Sequence, residues 1–225
     1  MQPAHAWRMR AGIDMTARLQ SCNTATSPGT ADATDLAGLA RIFDADCNLA
    51  RMPRALPSAL SDFLDQVAVH SALRGLPRTV LDCGQTLTPH ALPAQAGRQI
   101  LLDEVRLCGE LLCDLTGSPR FGLRIEVLDR AMCPRWHVDQ VGLRLLVTWR
   151  GPATEWLDEA CADRSQLGGD GVMRDSAGIR QALAGDIVLL KGERWPGNAG
   201  RGVIHRSPCI DDDAPRIVAA FDSIW

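Results

Sequence analysis

Downstream of Gly117-Ser118-Pro119 the chain is a series of short apolar runs broken by turn formers, a texture that points to a β-sandwich or barrel. Leu123-Arg124-Ile125-Glu126-Val127 alternates with period two, and Leu143-Arg144-Leu145-Leu146-Val147-Thr148-Trp149 is apolar and partly β-branched. Gly185-Asp186 leads into Ile187-Val188-Leu189-Leu190. Gly202-Val203-Ile204-His205 and Arg216-Ile217-Val218-Ala219-Ala220-Phe221 complete the set. Gly151-Pro152, Gly168-Gly169-Asp170-Gly171, Pro196-Gly197-Asn198 and Asp211-Asp212-Asp213-Ala214-Pro215 punctuate these runs, and each favours a turn.

The upstream half reads differently. Gly97 to Leu115 carries Ile100, Leu101, Val105, Leu107, Cys108, Leu111 and Leu112 at helical spacing. Leu36, Leu39, Ala40 and Phe43 suit a short amphipathic helix, and Leu60, Phe63, Leu64, Val67 and Val69 suit another with Ser58 as its cap. Thr79-Val80-Leu81-Asp82-Cys83 resembles a short strand. Residues 1–34 are rich in Ala, Thr, Ser and Asp without a sustained period and read as a disordered tail, with Met9 or Met15 as alternative starts. The expected organisation is therefore a tail followed by a single α+β domain over residues 35–225. Residues 35–118 form a helical lead-in packed on, or a small lobe beside, a β core over 119–225.

Composition narrows the partners. A net charge of -3 gives no basic surface for nucleic acid or anionic membrane, and no stretch approaches the roughly 18 uninterrupted apolar residues of a membrane span. The eight cysteines form no Cys-x-x-Cys pair and are spread too widely for a small secreted disulfide scaffold, so a reducing cytoplasm is expected.

Chemistry concentrates in the β-rich half. In His137-Val138-Asp139 the period-two geometry of an extended segment puts imidazole and carboxylate on one face, where both reach one ion. His205, in a later apolar run, supplies a second imidazole and completes a 2-His-1-carboxylate set with open coordination positions. Arg216, at the head of the last run, offers the bidentate guanidinium that a dicarboxylate co-substrate needs. Arg144 competes for that role, its alternative being a solvated strand face.

These four positions, in this order, resemble the 2-oxoglutarate and Fe(II) dependent dioxygenases over Phe121 to Trp225. The resemblance implies a double-stranded β-helix (a jelly-roll or cupin-like core) with His-x-Asp near strand two, the distal His on strand seven and a basic residue opening strand eight. Leu143 to Trp149, Thr154 to Leu157, Ile179 to Leu183 and Ile187 to Leu190 fill strands three to six. It also implies Fe(II) and 2-oxoglutarate as cofactors and hydroxylation of a small-molecule or peptide substrate. A closer resemblance, through Cys133-Pro134-Arg135-Trp136-His137-Val138-Asp139, Gly151-Pro152-Ala153-Thr154-Glu155-Trp156-Leu157, Gly185 to Glu193 and His205-Arg206-Ser207-Pro208, is to an uncharacterised bacterial family, domain of unknown function family 1826. Its members look associated with zinc-limitation regulons.

A second reading is a zinc-binding protein of bacterial zinc homeostasis without redox turnover. Cys133 and His137, and His205 and Cys209, are mirror-related pairs that form a closed Cys2His2 zinc site if Pro134 and Pro208 bend the chain. Cys133 and Cys209 are otherwise small apolar core residues, and Cys133 is alternatively a reactive thiolate at the open metal face. Trp136, Thr148, Thr154, Trp156 and Lys191 are candidate pocket residues, with packing expected for at least two of Trp136, Trp149 and Trp156. Lys191 to Asn198 is a lid or an exposed turn. Arg206, adjacent to His205, is expected on the opposite face.

Overall fold

The computed structural model describes residues 29–210 and 215–225. Most of the expected tail and the Asp211–Ala214 part of the last turn lie outside them. Among the described residues ten strands form two sheets. The main sheet takes β1 (Thr30–Asp32), β2 (Leu49–Met52), β3 (Thr79–Asp82), β4 (Arg120–Leu128), β5 (Leu143–Arg150), β8 (Ile187–Lys191) and β10 (Arg216–Ile224), ordered β1-β2-β8-β5-β10-β4-β3. The smaller sheet is β7-β6-β9, from β6 (Glu155–Leu157), β7 (Ile179–Gln181) and β9 (His205–Arg206), and an antiparallel bridge adds His137 beyond β9.

From β4 onward the chain alternates between sheets: β4 main, His137 second, β5 main, β6 and β7 second, β8 main, β9 second, β10 main. That winding, with β10 inserted antiparallel between β4 and β5, is a double-stranded β-helix. The helices α1 (Ser58–Leu64), α2 (Val67–Arg74) and α3 (Arg98–Thr116) cover one face of the main sheet. The fold is therefore α+β, with helices packed on the β core. No helix among the described residues is long and apolar enough to cross a membrane.

The period-two pattern decides which face each side chain takes. Phe121, Leu123, Ile125 and Val127 of β4, Leu143, Leu145, Val147 and Trp149 of β5, and Ile217, Ala219 and Phe221 of β10 point to the helices and join one core with Leu101, Leu102, Val105, Cys108 and Leu112 of α3. Burying each such Leu or Ile contributes about 1.5–3 kcal/mol. Gly109 lets α3 approach the sheet closely, since a Cβ there would lie 2.3 Å from the Phe121 ring. The alternate residues, Arg124, Glu126, Arg144, Leu146, Arg216, Val218 and Ala220, line a cavity on the concave side.

Several local expectations need correction. Thr30–Asp32, assigned to the tail by composition, pairs in parallel with β2 as an edge strand, where backbone hydrogen bonds outweigh weak side-chain patterning. The segment Leu49–Met52 is a strand that only four residues before Pro53 did not announce. The 36–43 segment is a 3-10 helix, Ala37–Phe43. The run from Leu60 to Val69 breaks into α1 and α2 because Gln66 is extended, and Ser58 is not a cap: Pro57 holds that position and offers no side-chain acceptor. The lead-in contributes β2 and β3 to the main sheet, whose two edge strands are β1 and β3.

Helices and turns are tied together by charge. Arg54 forms a two-pronged ion pair with the buried Glu104 of α3 and donates through Nε to the Gly185 carbonyl at 2.7 Å. Gly185 has φ +98°, and a Cβ there would meet the Arg54 carbonyl at 2.7 Å, so the turn ahead of β8 requires glycine. Asp186, buried, accepts from the Leu183 amide and closes that turn.

Candidate metal centre

His137 and His205 face each other across a single antiparallel bridge, in which each backbone amide donates to the other's carbonyl at 3.0 and 2.9 Å. Their rings consequently lie 4.4 Å apart, centre to centre. Both imidazoles are oriented in the same way. Nδ1 of His137 donates to the Arg135 carbonyl and Nδ1 of His205 to the Val203 carbonyl, each at 2.9 Å and two residues upstream. A carbonyl only accepts, so Nδ1 carries a proton and Nε2 of each ring is the nitrogen left for another partner.

That partner direction is shared by Asp139. Its Oδ1 lies 3.9 Å from His137 Nε2 and its Oδ2 3.3 Å from His205 Nε2. One ligand atom from each of the three residues falls within 4.8 Å of the others, and no other such group of three occurs among the described residues. An ion with bonds of about 2.0–2.2 Å would hold adjacent donors roughly 3 Å apart and so would draw the more separated of these inward. Two imidazole nitrogens and a carboxylate on one side of a cavity fit a divalent first-row metal held with its remaining positions open.

The electrostatics suit ligation. Burial pushes the His137 imidazole below its ordinary pKa, and the neighbouring His205 lowers it further, so the neutral ligating form is favoured. Burial acts to raise the Asp139 carboxyl, but its surroundings hold it well below the usual carboxylate range: His205 and His137 while their rings are protonated, and the Arg144 guanidinium whatever the state of the rings. Asp139 is ionised.

Arg144 holds Asp139 in place. It donates through Nε and Nη2 to the two carboxylate oxygens of Asp222 and through Nη1 to Asp139 Oδ2, each at 2.7 Å. The expectation that Arg144 is free for a co-substrate, or merely solvated, is corrected: three of its nitrogens already face protein carboxylates. Arg216 is placed otherwise. It is 2% exposed, donates to the Pro152 carbonyl and to the hydroxyls of Thr148 and Thr154, and has no carboxylate within ion-pair distance among the described residues. Burial lowers its pKa to about 10. The guanidinium and the triad line the same cavity of about 260 Å3.

Other candidates separate. Thr154 lines the cavity, and Thr148 supports Arg216 from beneath. Trp136 and Trp156 are buried in two small apolar clusters and Trp149 in the main core, so none of the three lines the cavity. Lys191 shares the outward parity of Ile187 and Leu189 and donates to the Asp44 carbonyl beside Trp195, away from the site. Arg206 does line the cavity mouth, contrary to strict alternation, because β9 is only two residues long; it stacks 4.2 Å over Trp136 and pairs with Glu155.

Cys133 and Cys209 are both exposed, which removes the core reading, and neither belongs to the three-residue group, so the closed Cys2His2 arrangement is not formed. Cys133 does lie on the cavity wall. The segment after β8 is a tied turn: Glu193 accepts from the Gly200 and Gly202 amides, and Asn198 is buried against the Gly192 carbonyl.

Three contributors escaped the sequence reading. Asp222, which grips Arg144, shares the parity of Arg216 in the last strand, and that pattern was legible. Gly192 permits the 139–142 segment to lie against the turn, since a Cβ there would meet the Val141 and Asp139 carbonyls at 2.3 and 2.6 Å. Arg124 lines the cavity opposite the histidines, and β4's alternation was its only signal.

No curated protein matches the chain in sequence. Solved structures similar to it include the dioxygenase for auxin oxidation of rice (19% identity, 88% of this chain and 83% of that one, TM-score 0.45). The 2-oxoglutarate complex of the Arabidopsis thaliana dioxygenase for auxin oxidation 1 is 14% identical over 88% of this chain and 92% of that one, with a TM-score of 0.48. A Pseudomonas putida prolyl-4-hydroxylase is 16% identical over 89% and 98%, with a TM-score of 0.47. A family model described as protein of unknown function, DUF1826, matches residues 33–222, and the chain belongs to that family.

Proposed function

We propose that the protein is an Fe(II) and 2-oxoglutarate dependent oxygenase that hydroxylates a small molecule or peptide. The observation that carries this reading is Arg216: a buried guanidinium with no carboxylate partner among the described residues, opening into the cavity that the triad faces. A charge left in that state is costly to a fold unless a ligand compensates it, and a dicarboxylate meets the need at one end while leaving a 2-oxo acid group for a metal at the other. With Fe(II) and 2-oxoglutarate bound, the centre would couple oxidative decarboxylation of the oxo acid to insertion of one oxygen atom of O2 into a C–H bond.

The chain's own part is positioning and exclusion. His137, Asp139 and His205 offer one neutral-imidazole pair and one carboxylate, the Arg135 and Val203 carbonyls fix the ring orientations, and Arg144 fixes Asp139. Thr148 and Thr154 aim Arg216, while Leu146, Val218 and Ala220 give the floor an apolar surface that keeps water out.

Anaerobic purification followed by Fe(II) and 2-oxoglutarate addition tests the reading. Expected are a visible charge-transfer absorption and O2-dependent succinate formation, both lost in His137→Ala. Stoichiometric zinc retained against Fe(II), with no succinate formed across a substrate panel, overturns it.

A further inference from the structure

The concave face of the main sheet continues past the triad. Beyond Arg144 and Asp222 lies a second depression of about 230 Å3, whose walls include Arg78, Val80, Gly122, Arg124 and Ile224. Arg124 and Arg144 line both this depression and the metal-facing cavity, so the two are contiguous.

Strand register builds this shelf. Val80 pairs with Gly122, and Gly122 with Asp222, which also pairs with Arg144, so these four residues form one row across the sheet. A step of two residues along antiparallel neighbours returns to the same face, and Arg78, just before β3, therefore falls beside Arg124. Gly122 recesses the shelf. A Cβ there would already touch Ile224 Cδ1 at 3.4 Å.

The charges on the shelf are under-compensated. Arg78 is exposed and has no carboxylate within ion-pair distance among the described residues, and the nearest to Arg124 is Glu126 at 3.8 Å. Arg74, Arg150 and Arg206 by contrast hold carboxylates at 2.6–2.7 Å. Two adjacent guanidiniums beside the apolar Val80 and Ile224 match an amphipathic anion: charge at one end, hydrocarbon at the other.

We propose that this shelf binds the anionic end of the substrate, a carboxylate or phosphate ester whose apolar part lies on Val80 and Ile224 and reaches past Arg144 toward the metal-facing cavity; the role as substrate rests on the oxygenase reading above. The site is distinct from Arg216, which serves the oxo acid.

Saturation-transfer NMR on the full chain, with octanoate and octyl phosphate against octan-1-ol and octylamine, tests it. The two anions bind and the neutral and cationic analogues do not, and whichever anion binds more tightly names the headgroup. Replacing Arg78 and Arg124 together by Ala weakens anion binding by about tenfold or more, and Arg78→Ala alone, outside the metal-facing cavity, weakens it with 2-oxoglutarate binding retained; Arg216→Ala does the reverse. Equal binding of octan-1-ol, unchanged affinity in the double variant, or no binding of either anion overturns the proposal. If 2-oxoglutarate fails to bind while octanoate still depends on Arg78 and Arg124, the shelf stands and the oxygenase reading falls.

Discussion

Arg144 grips Asp139 at 2.7 Å with the same guanidinium that holds both carboxylate oxygens of Asp222. Asp222 thus sets the rotamer of a candidate metal ligand it never touches. Replacing it with Asn removes the charge and half of the two-pronged grip while keeping the shape, and lets Arg144 swing. The expected result is a loss of about 10–100-fold in Mn(II) or Co(II) affinity at unchanged secondary structure, read by metal titration and circular dichroism. Unchanged affinity would remove Asp222 from the site.

The triad was legible because its signal is local and chemical: two imidazoles and one acid in strand-like surroundings. Its support was less so. Arg144 carried the same sequence signal as a co-substrate ligand, and only the across-sheet pairing of β5 with β10 shows that its charge is already taken. Trp156 and Lys191 illustrate the same limit, since strand parity assigns a face only once the strand boundaries and the neighbouring layer are known. The helices of the lead-in were readable from periodicity, whereas β1 and β2 are held by backbone pairing that leaves little trace in side chains.

Gly192 tests how tightly the ligand-bearing segment is packed. A methyl group there would lie 2.3 Å from the Val141 carbonyl and 2.6 Å from that of Asp139, so Gly192→Ala must push the backbone of residues 139–141 aside. Overpacking of this kind costs about 1–3 kcal/mol. The variant should unfold at lower urea concentration and also bind metal more weakly, whereas Gly197→Ala, in open space, should leave metal binding unaltered.

Alkaline pH probes the helix–sheet core. Burial, with Glu104 adding to it, pushes the Cys108 thiol up to about 12 from its ordinary 9.0. Because the folded value is raised, the stabilisation is fully present below pH 9 and is lost progressively as pH rises toward 12, by about 1.4 kcal/mol per pH unit at most. Urea titrations at pH 8 and pH 10 should therefore show a steeper loss of stability in the wild type than in Cys108→Ala. Equal slopes would mean that the thiol titrates freely.

Arg216 should trade stability for binding. Its charge is buried, carries no carboxylate partner among the described residues, and has its pKa lowered to about 10 by burial alone. An unpaired buried cation destabilises the ligand-free fold, and an apolar side chain of similar length that fills the same space removes that penalty. Arg216→Met is expected to raise the unfolding free energy of the protein without 2-oxoglutarate by on the order of 1 kcal/mol, measured by urea denaturation. On the proposed function, 2-oxoglutarate should stabilise the wild type and not this variant, because the ligand's distal carboxylate would then meet only Thr148, Thr154 and a sulfur. A variant that is less stable without ligand yet still stabilised by 2-oxoglutarate would show that Arg216 is a structural cation and that the co-substrate binds elsewhere.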